Sequence, residues 1–275
     1  MHRKGFVILI VGVLCAACFP PFVRRDYALR VLVFNMHAGK DAAGADNITG
    51  LADLIRTTAA DVVLLQEVDR GTNRSGKVDQ LQALIDRTKF AGRFGRSLDF
   101  DGGQYGIAIL SRRAMNFNQT FELRVEPTQV RAGGSHEPRA ALVASVETLR
   151  GRLQVITTHL DASGEDTYRL QEALELLNVV RPRVSEFTPV LVGGDFNAEP
   201  TSPVIQRMRD AGLRDAWTEC GQGDGFTYPA AKPTKRIDYL FLTNPLRCTS
   251  ASVVDTQISD HRPLLVTLGD MGPGM

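Results

Sequence analysis

Short apolar runs separated by polar punctuation fill the chain from Arg30 to Leu268. RVLVFN (30–35), DVVLLQE (61–67) and VLVGGD (190–195) read as strands buried on both faces. QYGIAILS (104–111), QTFELRV (119–125), AALVASVE (140–147) and LQVITTHL (153–160) read as further strands, as do RIDYLFLT (236–243), CTSASVVD (248–255) and PLLVTL (263–268). Four segments change the period to that of a helix. NITGLADLIRTTAA has Asn47 as an N-cap, followed by Ile48, Leu51, Leu54 and Ile55. VDQLQALIDRT (78–88) and SPVIQRMRDAG (202–212) are shorter. DTYRLQEALELLNVVRP is the strongest, with Leu170, Leu174, Leu177 and Val180 predicted on one face and Pro182 predicted to end it.

Strand groups punctuated by a few helices predict an α/β protein in which two packed sheets carry helices outside. No low-complexity tract, long linker or literal repeat interrupts the segment, so one domain over 28–270 is expected.

Composition adds little to this. The chain has 275 residues, 43% hydrophobic and 23% charged, with a formal net charge of +1. A near-neutral balance gives no electrostatic footprint for nucleic acid. The N-terminus is more informative. Arg3 and Lys4 precede an apolar run from Phe6 to Phe19, which falls short of the ~20 residues a spanning helix needs. With Ala16 and Ala17 this pattern fits an export signal over 1–18. Cys18 after two alanines resembles the lipid-attachment cysteine of a bacterial lipoprotein; an ordinary cleaved signal and an uncleaved anchor are the alternatives. The expected location is therefore periplasmic or cell-surface, with membrane tethering through the N-terminus. CAAC (15–18) lies inside the apolar run and lacks the context of a redox motif. Cys220 and Cys248 remain, either as a disulfide in an oxidising compartment or as two separate thiols.

The polar residues that close the strands carry the candidate chemistry. Asn35 ends the first strand, Glu67 the second, His159 the strand at 153, and Asp195 with Asn197 the strand at 190. Asp238 sits inside RIDYLF, where an unpaired carboxylate is costly, and Asp260 and His261 precede the last strand. Taken singly, each has a structural explanation as a turn former, cap or half-buried imidazole. Together, six strand ends carrying only acid, amide and imidazole would supply one metal and one phosphate site. Carboxylate and amide oxygens suit Mg²⁺ or Mn²⁺. An H-E-x-x-H zinc motif, a G-x-S-x-G elbow, a P-loop and a dinucleotide fingerprint are all missing. Alternation along GGDFN aims Asp195 and Asn197 to one side and Phe196 into the core, with Gly193 and Gly194 permitting close backbone approach.

LLQEV, GGDFNAEP, RIDYLFL and SDHRP, in this order, resemble the endonuclease/exonuclease/phosphatase superfamily over about Arg30 to Leu268. The resemblance implies a four-layer α/β sandwich of two mainly antiparallel sheets, and a divalent-metal-dependent phosphoester hydrolase. It implies that Glu67 and Asp260 hold the metal with Asn35 nearby. Asp195 would orient or deprotonate the attacking water and Asn197 would bind the scissile phosphate. His261, positioned by Asp238, would contact the phosphoryl oxygens or assist proton transfer, and His159 would stand on the leaving-group side.

FNMHAGKD, QEVDRGTNRSGKVDQ, QYGIAILS and HEPRAAL further resemble a set of bacterial members described as metal-dependent hydrolases. Arg139, Arg70, Arg74 and Lys40 are candidate phosphate or headgroup contacts, with solvated surface charge as the alternative. No long basic stretch tracks a nucleic-acid backbone. The expectation is therefore a monomeric, exported phosphodiesterase with a non-nucleic substrate. A secreted nuclease, a phospholipid or inositol phosphate phosphatase and a non-catalytic binding module are the alternatives.

Overall fold

The apolar runs form strands that pair into two six-stranded sheets. The structure, a computed structural model, describes residues 28–128, 137–148, 151–184 and 188–269; the signal region with Cys18, and residue 270, lie outside them. In chain order the elements are β1 (Leu29–Asn35), α1 (Ile48–Thr57), β2 (Val62–Arg70), α2 (Gln80–Thr88), β3 (Ala91–Phe100), β4 (Gly103–Ser111), β5 (Met115–Leu123) and β6 (Arg139–Thr148). They continue with β7 (Gly151–His159), α3 (Thr167–Val180), β8 (Val190–Asp195), α4 (Pro203–Asp210), β9 (Arg214–Asp215), α5 (Ala216–Cys220), β10 (Asp238–Leu242), β11 (Cys248–Val253) and β12 (Leu264–Leu268).

One sheet runs β11-β12-β1-β2-β4-β3 and the other β5-β6-β7-β8-β10-β9. Each has a parallel pair at its centre, β1 with β2 and β7 with β8. Parallel neighbours need a crossover, which α1 and α3 provide. The remaining ladders between named strands are antiparallel.

Alternation along the strands builds the layers. In β1, Val31 and Val33 face the other sheet, while Leu32 and Phe34 face α1 and α2. In β8, Leu191 joins the core between the sheets; Val190 and Val192 pack under α3 and α4. Three apolar cores therefore separate four layers, helix–sheet–sheet–helix. The expected sandwich is the observed fold.

Helix starts follow their caps: Asn47 accepts from Gly50 N, Asp79 from Gln82 N and Ser202 from Val204 N. Other expectations need correction. Leu174 is 44% exposed, because α3 rests on Ala173, Leu176, Leu177 and Val180, so its buried stripe is rotated from the predicted one. The expectation for Pro182 holds: α3 ends at Val180, ahead of the proline, and Pro182 sits in the 3-10 turn that follows, Arg181–Arg183. β3 was not expected, since AGRFGRSLDF lacks an apolar run; as an edge strand it is held by its ladder to β4. Gly193 and Gly194 permit a close approach, but by protein. A Cβ on Gly193 would lie 2.7 Å from Leu64 Cδ1 of the other sheet. On Gly194 (φ +150°) it would lie 2.0 Å from the Thr158 carbonyl oxygen. Cys220 and Cys248 form a disulfide that ties α5 to β11.

Candidate active site

The two parallel strand pairs end side by side, and their carboxyl ends carry the site, as the crevice rule for α/β sheets leads one to expect. Asp195, the last residue of β8, has His159 as its register partner on β7 and Asp238 as its partner on β10. One rung of the sheet thus presents imidazole, carboxylate and carboxylate in a row.

Asn35 closes the rung from the other sheet. Its amide nitrogen donates to Asp195 Oδ2 and to Glu67 Oε1, both at 3.0 Å. Its Oδ1 accepts the His37 N–H at 3.1 Å. Asn35 is 1% exposed, and its amide is committed to orienting two carboxylates. Glu67 reaches Asn35 because β2 is irregular there: the register to β4 shifts between Leu65 and Val68, and Glu67 has φ 57°. Such a bulge re-aims one side chain out of the ladder. The preceding Gln66 points between the sheets and donates to Thr157 Oγ1 at 2.9 Å.

The SDHRP loop docks through Ser259. Its hydroxyl donates to the Asn35 carbonyl at 2.8 Å and accepts the His261 N–H at 3.2 Å. This places Asp260 and His261 on either side of the first strand's end. His261 Nδ1 lies 2.9 Å from Asp238 Oδ2, and its Nε2 lies 3.6 Å from Asp195 Oδ2. His159 Nε2 lies 3.7 Å from the same oxygen. Asn197 has φ 48°, so GGDFN is not fully extended as expected. Its N–H bonds Asp195 Oδ1 at 2.9 Å, while its Nδ2 lies 3.1 Å from His159 Nε2 and donates to Leu160 O. Phe196 is fully buried, edge-on to Tyr239 and Phe241.

Burial, followed by the adjacent Asp238 charge, pushes the Asp195 carboxyl up to about 7. Burial works against a charged His261, yet Asp238, Asp195 and Asp260 outweigh it and raise the imidazole to about 10. Asp195 and Asp238 thus favour a protonated His261, while burial holds the Asp195 carboxyl nearer to neutrality than an ordinary carboxylate. Burial and then Glu67 hold the Tyr105 phenol well above its ordinary range.

These groups open onto a cleft of about 910 Å³. Glu67, His159, Asp195, Asn197, Asp260 and His261 line it; Asp238 stands behind His261. Of the basic candidates, Arg74 and Arg139 line the cleft. Arg74 is clamped by Asp69 at 2.7 and 2.8 Å and stacks over Phe100 and Tyr105. Arg139 is 3% exposed and pairs with Glu137 at 2.8 Å. Arg70 and Lys40 are not brought to the cleft: Arg70 pairs with Asp79 and Lys40 with Asp46.

Sequence reading missed Ser259, whose hydroxyl is what seats the last loop, and Tyr228, whose ring lies 4.8 Å from that of His261. It also missed the wall of Phe100 and Tyr105 and the buried Arg169 on the opposite side. Tyr105 had a signal, the inward parity of QYGIAILS; the others had none.

The donor set fits a hard divalent ion. Glu67 and Asp260 offer carboxylate oxygens to the same cleft, and both are tied to Asn35, one by its side chain and one through Ser259. A second group, Asp195, Asp238 and His261, brings its ligand atoms within 4.8 Å of one another. The Asp238–His261 hydrogen bond and the Asn35 and Asn197 donors to Asp195 already engage that group.

Comparison with known proteins agrees with this fold. The Endonuclease/Exonuclease/phosphatase family model matches residues 32–261, and the chain belongs to that family of phosphoester hydrolases. It is 25% identical over 257 residues to the uncharacterized protein YbhP of Escherichia coli (strain K12), covering 89% of this chain and 97% of YbhP. An endonuclease/exonuclease/phosphatase from Beutenbergia cavernae DSM 12333 superposes with a TM-score of 0.71 at 24% identity, over 88% of this chain and 71% of that one. The mannosyl-6-phosphatase Bt3783 of Bacteroides thetaiotaomicron VPI-5482 superposes with a TM-score of 0.70 at 19% identity, over 87% and 99%.

Proposed function

We propose that the protein is a divalent-metal-dependent phosphodiesterase acting on small or lipid-type diesters outside the cytoplasm. The observation that carries this reading is the convergence of His159, Asn35 and His261 on one oxygen of Asp195 at the floor of an open cleft.

Glu67 and Asp260 would hold Mg²⁺ or Mn²⁺, with Asn35 fixing the Glu67 carboxylate. The ion supplies Lewis-acid stabilisation of the charge that grows on phosphoryl oxygens. The chain's own groups do the rest. Asp195, raised towards neutrality, aligns a water and accepts its proton. His261, kept cationic by Asp238, and the Asn197 amide stabilise the same oxygens. His159 borders the cleft opposite His261, where it serves the departing oxygen.

A small diester is favoured over duplex nucleic acid because the three arginines of the cleft are each paired with a carboxylate, which leaves Lys235 as the one basic lining side chain without an ion pair among the described residues. Arg74 is paired with Asp69, Arg139 with Glu137 and Arg169 with Asp166. Such pairs recognise one group in the cleft and do not release a row of counterions along a backbone.

We also propose export of a monomer, directed by residues 1–18 and with Cys18 as a lipidation site. The basic–apolar–small pattern supports this, and so does the Cys220–Cys248 disulfide, which suits an oxidising compartment.

The test is turnover by purified protein of bis-p-nitrophenyl phosphate, sphingomyelin, phosphoinositides, inositol phosphates, plasmid DNA and RNA, with Mg²⁺ and then with chelator. Chelator-sensitive hydrolysis of small or lipid diesters is expected. Preferential nicking of DNA, or release of phosphate from monoesters alone, would overturn the substrate assignment.

A further inference from the structure

His37 is an imidazole that neither the fold nor the hydrolytic groups above make use of. It follows Asn35 by two residues and begins a 3-10 turn, His37–Gly39. The turn is pinned at both ends. His37 N donates to Asn35 Oδ1, and Gln80 donates to the carbonyl of Ala38. The turn holds His37 at φ 48° and Ala38 at φ 51°, a backbone region that side chains other than glycine seldom occupy.

The ring edge that results is specific. Nδ1 of His37 is buried, although the ring as a whole is 39% exposed, and no hydrogen bond reaches that nitrogen among the described residues. A buried ring nitrogen without a partner is costly. Its nearest acidic atom is Asp260 Oδ1 at 3.8 Å. That is too long for a hydrogen bond. It is within the reach of one ion: atoms each about 2.1 Å from a metal stand about 3 Å apart at right angles and about 4.2 Å apart when opposed, and 3.8 Å falls between the two. Asp260 also keeps its carboxylate partly open, at 35% side-chain exposure, and the neighbouring Ser259 hydroxyl, 3.2 Å from its Oδ1, gives its one proton to the closer Asn35 carbonyl.

We infer that Nδ1 of His37 is a nitrogen ligand of the divalent ion, beside Asp260. This rests on the metal site proposed above and deepens it by naming the ion class. A site of carboxylates alone suits Mg²⁺; one imidazole in the set shifts preference towards Mn²⁺ and its later first-row neighbours. The site then prefers Mn²⁺ over Mg²⁺, and the strained turn is what presents the nitrogen.

Pulsed electron paramagnetic resonance of the Mn²⁺-loaded, full-length protein reads the ligand directly. Nitrogen-14 modulation from a coordinated imidazole is expected in the parent and in His159→Ala, and is expected to vanish in His37→Ala. By calorimetry His37→Ala should weaken Mn²⁺ about 10-fold or more and Mg²⁺ by less. His37→Asp puts a carboxylate oxygen ligand in place of the imidazole nitrogen. It should retain Mn²⁺ binding without nitrogen modulation, which separates a lost ligand from a lost fold. Mn²⁺ bound to the parent without nitrogen modulation, or modulation that persists in His37→Ala, would overturn the assignment of His37 and leave the oxygen site standing. No Mn²⁺ or Mg²⁺ binding at all would overturn both.

Discussion

Asn35, at the end of β1 in one sheet, donates to Asp195, at the end of β8 in the other, at 3.0 Å. The same nitrogen bonds Glu67. A single amide therefore aligns the residue assigned to the water with the residue assigned to the ion. Asn35→Ala should lower divalent-ion affinity about 10–100-fold, by analogy with groups that orient metal ligands, and destabilise the fold by about 1–3 kcal/mol. Calorimetry and urea unfolding measure the two effects; an unchanged metal affinity would disprove the orienting role.

Asp195→Asn keeps the shape of the group and removes its charge. Hydrolysis of bis-p-nitrophenyl phosphate should fall by about 10²–10⁴-fold. The raised carboxyl also fixes the sign of a stability effect. Its folded-state value lies above the unfolded one, so the parent is favoured below about 3.8 and loses stability as pH rises towards about 7. Above that range, in chelator, Asp195→Asn should melt at the same temperature as the parent or higher. A strong fall in Tm would contradict this.

Asp238→Asn removes a charge that raises both neighbours. Titrated by imidazole ¹⁵N shifts in metal-free protein, His261 should deprotonate at lower pH than in the parent, from about 10 downwards. The Asp195 carboxyl should also move down from about 7. A His261 titration indifferent to this change would remove Asp238 from its positioning role.

The two glycines before Asp195 should respond unequally to alanine. At Gly194 the new methyl meets a backbone oxygen at 2.0 Å in a left-handed conformation, and neither can yield. Gly194→Ala should therefore cost more than about 3 kcal/mol or abolish folding. At Gly193 the closest obstacles are the ends of the Leu64 and Leu240 side chains, at 2.7 and 2.9 Å, which can turn, with the Tyr239 carbonyl oxygen further off at 3.0 Å. Gly193→Ala should cost about 1–3 kcal/mol by overpacking. Equal losses in a chemical denaturation series would argue against this packing account.

The basic candidates divide in the same way. Arg74→Ala removes a guanidinium that lines the cleft and should raise KM for the diester. Arg70→Ala and Lys40→Ala should leave KM unchanged, because each pairs with a carboxylate away from the cleft. A KM effect at Lys40 or Arg70 equal to that at Arg74 would mean substrate extends well beyond the cleft.

The strand ends were legible because buried strands read as apolar runs, so a carboxylate or imidazole directly after one stands out. Glu67, His159 and Asp195 carried that mark; Asn35 carried it as an amide, Asp238 stood inside an apolar run, and Asp260 and His261 stood just before one. Other features carry no periodic signature. The bulge that turns Glu67 shows only in the ladder with β4. The turn that tucks His37 against Asp260 depends on Gln80, forty-odd positions away, through its bond to Ala38. Leu174 was misjudged because four leucine-type positions fit a helical stripe almost as well as the stripe the sheet selected. Phe100 and Tyr105 belong to a hairpin whose first strand, β3, is too polar to announce itself.

The hydrogen bond from Asn35 to Asp195 joins halves of the polypeptide separated by 160 positions. Neither half alone carries a complete catalytic apparatus: β1 and β2 bring Asn35 and Glu67, while β7, β8 and β10 bring His159, Asp195 and Asp238. Hydrolytic competence thus requires the two sheets to be docked against each other. A newly synthesised or partly opened molecule is inert towards phosphoesters in its surroundings, and recovery of turnover after denaturation reports on the docking of the two sheets more strictly than recovery of secondary structure does.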